Sequence, residues 1–108
     1  MEVVKIATSV RNDNKTIHKI LASTSISTST VTLESVLTAA NINALGSDVS
    51  LENLNTSGDL YFSKATPATA SNSYILGPSR GMQLKLSTDD YVAAASGTVN
   101  IQCLIFDS

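Results

Sequence analysis

Residues 82–86 alternate apolar and polar without a fault, placing Met82, Leu84 and Leu86 on one face and Gln83 and Lys85 on the other. A period of two is the signature of a half-buried strand. Residues 87–90 (Ser87, Thr88, Asp89, Asp90) are turn formers whose short side chains bond to nearby backbone, and residues 91–95 then resume as an extended run of small apolar side chains. After Ser96 and Gly97, residues 98–106 place Val99, Ile101, Cys103 and Ile105 on one face, while Leu104 and Phe106 make the opposite face apolar near the end. The pattern predicts three antiparallel strands joined by tight turns.

Upstream, residues 48–54 and 59–64 read as a hairpin, with Asn55, Thr56, Ser57 and Gly58 between them and Gly58 supplying a positive φ. Leu60 and Phe62 share one face and Tyr61 takes the other. Residues 65–73 are small, polar and proline-containing, which predicts an exposed loop, and residues 77–81 predict a plain turn into the Met82 strand. At the N-terminal end, residues 3–10 and 15–23 have strand composition, and the Arg11, Asn12, Asp13, Asn14 segment makes a turn between them. Residues 23–32 are nearly all Ser, Thr, Ile and Val, the composition of an edge strand or an ordered arm. Helix competes only over residues 32–45, where Leu33, Val36, Leu37, Ala40 and Ala44 recur at helical spacing. Alternation over residues 31–35 and the poor helix formers Asn41 and Asn43 favour strand to about Leu37, then a connection with room for a short helix.

Seven or eight short strands with turn chemistry between them define an all-β, single-domain antiparallel β-sandwich, jelly-roll-like or Ig-like. The expected core is Val49, Leu51, Leu60, Phe62, Leu76, Met82, Leu84, Leu86, Val92, Val99, Ile101, Cys103 and Ile105. The chain's 108 residues suit one domain, with residues 1–30 as an additional hairpin or an arm.

Composition narrows the chemistry. The chain holds one Cys and one His, too few for an internal disulfide or a structural zinc site, and no cofactor is expected. His18 would have to anchor any nucleophilic triad; its place between Ile17 and Lys19, and the lack of a Gly-x-Ser-x-Gly elbow, make it a surface or interface residue. Cys103 alternates in phase with its apolar neighbours and reads as a small buried side chain. Asp89 and Asp90 point different ways as consecutive residues, which suits a polar turn better than a calcium or glycosidase site. The expectation is a protein that is not an enzyme.

A net charge of −2 argues against nucleic-acid binding, and no apolar run approaches the roughly 20 residues of a transmembrane helix, so no membrane partner is expected. No secretory leader is read at the start of the chain. The charge is unevenly placed: Lys5, Arg11, Lys15 and Lys19 face only Glu2 and Asp13 in the first twenty residues, against Lys64, Arg80 and Lys85 with seven carboxylates in the remainder. This locally basic segment is either a solvated face or a docking surface for an acidic partner. Tyr61, Tyr74 and Arg80 complete the candidate interface, because Tyr and Arg are enriched as anchors where proteins meet.

Residues 49–55, 56–63, 76–86 and 88–102 together resemble small structural proteins of tailed-bacteriophage particles, of the capsid decoration, cement or head-fibre type. The resemblance implies a compact β-sandwich or jelly roll without catalytic activity. It further implies a homo-oligomer, trimer or dimer, assembled in the host cytoplasm and carried on the virion surface against the major capsid protein. A head-fibre, neck or tail component is the alternative, and a cellular carbohydrate- or protein-binding β-sandwich module the second. Residues 1–30 would be a capsid-facing arm or additional strands, with residues 64–74 facing solvent or a neighbouring copy.

Overall fold

The computed structural model describes residues 16–106, which form eight strands and one short helix. The strands are β1 (Ile17–Ile26), β2 (Val31–Thr32), β3 (Asp48–Asn53), β4 (Leu60–Ser63), β5 (Tyr74–Leu76), β6 (Gly81–Lys85), β7 (Tyr91–Ala94) and β8 (Val99–Phe106), with α1 (Leu33–Ala39) between β2 and β3. One sheet has the order β1-β8-β3-β6 and the other β2-β7-β4-β5. The pairing is nested: β1 pairs with β8, β2 with β7, β3 with β6 and β4 with β5. A long two-stranded ribbon with this pairing rolls up by joining β3 to β8 and β4 to β7, and both joins are present and antiparallel. The result is an eight-stranded jelly roll, an all-β sandwich.

This topology corrects the expected hairpins. β3 and β4 have nearly the predicted boundaries, yet they lie in different sheets, and the 54–59 turn crosses the sandwich. Likewise β6, β7 and β8 do not form a three-stranded meander, because β7 belongs to the opposite sheet. Alternation reports which side chains face inward; a crossing turn that keeps both inner faces on one core produces the same alternation as a hairpin. Of consecutive strands, only β4 and β5 are hydrogen-bonded, across the long 64–73 loop. The predicted strand at residues 3–10 and the turn at 11–14 lie outside the described residues. β1 passes through Ser23 to Ile26 as one strand, with a register shift against β8 between Leu21 and Thr24.

The region read as strand to Leu37 is α1, and β2 keeps only Val31 and Thr32. Thr32 caps the helix: its Oγ1 accepts the Ser35 N–H at 3.2 Å, and the Leu33 N–H is taken by the Asp90 carbonyl at 2.8 Å. The poor helix former Asn41 is what ends it. At φ 63° Asn41 occupies the left-handed region, its N–H bonds the Thr38 carbonyl, and the Ile42 N–H bonds the Leu37 carbonyl. These are the two bonds of a Schellman cap, and Ile42 follows Leu37 into the core. Because Gly tolerates this φ without a Cβ clash, Asn41→Gly is expected to stabilise by a few tenths of a kcal/mol and Asn41→Ala to destabilise by about 1 kcal/mol in urea unfolding.

All of the expected core is buried except Met82 and Leu84, which are half-exposed because β6 is an edge strand. Leu21, Ile26, Leu33, Leu37, Ile42 and Ala44 join the core from β1, α1 and the segment after it. Leu104 and Phe106, on the other face of β8, form a separate small cluster with Ile17.

Candidate protein-interaction surface

Lys5, Arg11 and Lys15 lie outside the described residues. Lys19 is exposed on β1, beside a groove of about 580 Å³ lined by Ile20, Thr24, Asn41 and Ile42. The other three candidates stand on the opposite flank, where β5 and β6 are the edge strands of their sheets among the described residues. Of the four candidates among the described residues, Lys19 is therefore set apart from Tyr61, Tyr74 and Arg80.

On that second flank, Tyr74 is 59% exposed and Ile75 41% exposed. Gly77, Pro78 and Arg80 follow in the turn to β6, and with Tyr74 and Ile75 they border a hollow of about 330 Å³. Arg80 is exposed, and its guanidinium has no partner among the described residues. Tyr61 is half-buried in β4, in register with Ile75 on one side and Ala93 on the other, so the three share the outer face of the second sheet. None of the residues of β2, β4, β5 and β7 carries a charge, whereas the other sheet carries Lys19, Asp48, Glu52 and Lys85. Ile75 was missed because the unbroken Tyr74, Ile75, Leu76 run has no alternation to assign an outward face.

The 64–73 loop is largely exposed, as predicted, with Thr69 and Ser73 partly covered and Ala68 buried. Its N–H donates to Thr30 Oγ1 at 3.0 Å, which draws the loop from β4 across β7 toward β2. Asn72 organises the rest. Its Oδ1 accepts the Thr69 N–H at 2.8 Å, its Nδ2 donates to the Pro67 carbonyl at 2.9 Å, and its own carbonyl accepts the Ser63 hydroxyl at 3.1 Å. The Thr66–Pro67 peptide is cis.

The Asp89, Asp90 turn has two unlike members. Asp89 is exposed, but Asp90 is fully buried, with Oδ2 accepting the Ser87 N–H at 2.8 Å and Oδ1 bound to Lys64 Nζ. Lys64 also reaches Asp89 at 3.3 Å and the Ser87 hydroxyl at 3.1 Å, pinning the end of β4 to the β6–β7 turn. Composition alone hid this clamp, since a lysine and a carboxylate 26 positions apart carry no local signature. The hydrogen bond to Asp90 raises the Lys64 pKa above 10.5, and the Ser87 hydroxyl, then Lys64, lowers that of Asp89 below 3.8. The Lys64 contribution is complete below pH 10.5 and fades as pH rises through the raised value; that of Asp89 is complete above pH 3.8 and fades as pH falls. Lys64 is 60% exposed, but its partner Asp90 is buried and would keep only its bonds to Ser87, so Lys64→Met is expected to cost about 1–3 kcal/mol. Melting curves of the two proteins should differ by a constant amount from about pH 5 to 9 and converge at higher pH.

His18 lies on the exposed side of β1, as a surface residue should. Cys103 is fully buried, and desolvation pushes its thiol up to about 12, which keeps it protonated and unreactive. Among the described residues no group of three or more His, Cys, Asp or Glu could hold a metal ion, and no helix is long and apolar enough to cross a membrane. Comparison of the chain with family models, curated proteins and solved structures finds no match.

Proposed function

We propose that this chain is a non-enzymatic virion structural protein, a decoration or cement protein that binds the outer surface of a phage head and stabilises it. The observation that carries the reading is the eight-stranded jelly roll, an architecture used by viral shell domains. The uncharged second sheet, with Tyr61, Ile75 and Tyr74 at its surface, is suited to close packing against other subunits. The basic residues Lys5, Arg11, Lys15 and Lys19 supply attraction to an acidic major capsid protein. Binding energy spent across joints between capsid subunits opposes their separation under the pressure of packed genome.

The test is to purify particles from cells carrying the gene, count copies of this chain per particle and locate them by imaging. Many copies on the head support the proposal; a label confined to neck, tail or fibre, or absence from the particle, overturns it. Removing residues 1–10, or reversing the charges of Lys5, Arg11, Lys15 and Lys19, is expected to lower head occupancy at least tenfold at physiological salt. Unchanged occupancy would refute the basic docking segment.

A further inference from the structure

The β5 flank carries two opposite charges that the fold leaves unused. Asp59 stands just before β4, and its Oδ1 lies 3.9 Å from where a Cβ on Gly77 would sit; Arg80 Cγ lies 3.8 Å from the same point. The two side chains thus approach one glycine, yet they form no ion pair with each other, and neither has a side-chain partner among the described residues. The ion pairs between described residues are those of the Lys64 clamp. Tyr74, Ile75 and Pro78 line the hollow together with Arg80, and β5 is an edge strand of its sheet among the described residues.

We infer that this flank is the two-fold contact between two copies of the chain, with Arg80 of each protomer meeting Asp59 of the other and Tyr74 packing over the partner's hollow. A patch that carries both signs beside an exposed tyrosine is complementary to itself, which is the requirement of an isologous interface. An acidic or a basic foreign surface would satisfy only one of the two charges and repel the other. Tyr74 supplies a large ring with few rotatable bonds, the side-chain type that dominates interface energetics. β5 has only three residues, so the edge-to-edge pairing is short and the side chains carry the contact.

This goes beyond the shell reading by fixing which surface joins copies, and it is tested without particles. Sedimentation velocity of the full chain over a range of concentrations should show a monomer–dimer equilibrium. Arg80→Glu alone and Asp59→Arg alone should each weaken the dimer at least tenfold, since each places like charges across both contacts. Mixing the two variants should restore the wild-type dimer. In the mixed pair the two introduced side chains, of opposite sign, face each other at one contact, and the native Asp59 and Arg80 meet at the other. Melting curves check that both variants are folded, and restoration on mixing also requires it. A wild-type chain that stays monomeric, a trimer, single variants that dimerise like the wild type, or a mixture that fails to recover would each overturn the inference. A dimer that forms as described but never binds heads would leave this contact standing and refute the shell reading alone.

Discussion

Leu51→Ala is expected to lower the unfolding free energy by about 3 kcal/mol, with a fall in Tm of roughly 12–20 °C for a domain of this size. Leu51 is fully buried in β3, flanked in register by Cys103 of β8 and Met82 of β6. Truncation there opens a cavity that the hydrogen-bonded strands on either side cannot close. Met82→Ala, one strand further out, should cost only about 1 kcal/mol, because Met82 is half-exposed already and solvent can fill the space. Urea unfolding of the two variants side by side measures the contrast. Equal losses would contradict the edge position of β6.

Asn53→Ala should be as damaging, at about 3 kcal/mol, although it removes no apolar surface. Asn53 is 1% exposed at the end of β3. Its Nδ2 donates to the carbonyls of Gly58 and Leu76, each at 3.0 Å, and its Oδ1 accepts the Asn55 N–H at 2.9 Å. Two carbonyls in or near the interior lose their donor together. Asn53→Asp should be worse than Ala at neutral pH, since it sets a carboxylate against the same two carbonyls. If Asp proved the milder change, the amide's role as donor would be refuted. Asn55 extends the knot, donating to the Thr98 carbonyl at 3.2 Å and accepting the Asn100 N–H at 3.0 Å. With Gly58 at φ +97° in the same turn, the crossing between sheets is specified by a few residues.

Those residues also show where sequence reading succeeds and where it stops. The alternation of Met82, Leu84 and Leu86, or of Val99, Ile101 and Cys103, declares an inner face, and the turn types between strands are visible in Asn55–Gly58 and Ser96–Gly97. The sandwich follows from those. Sheet membership does not, because inward alternation is the same for a hairpin and for a crossing; the bonds of Asn53 to Gly58 and Leu76 that fix the crossing join residues five and twenty-three positions apart. The helix was obscured for a related reason: Asn41 counts against helix interiors but serves the left-handed position that ends one. For the candidate interface, residue type singled out Tyr74 and Arg80. Only the fold brings Asp59 to the same glycine, and an aspartate before a strand otherwise reads as a turn former.

Nested pairing sets the order in which this protein can acquire its shape. β8, the last of these strands to be synthesised, is the shared neighbour of β1 and β3, so the first sheet has no centre until residues 99–106 have left the ribosome. Before then β1 and β3 have no ladder between them, and the buried faces of Leu21 and Leu51 must wait uncovered. Joining segments some eighty positions apart makes loop closure the slow step, which places refolding of the isolated chain in the millisecond-to-second range of sandwich proteins and makes the emergence of β8 the trigger for folding.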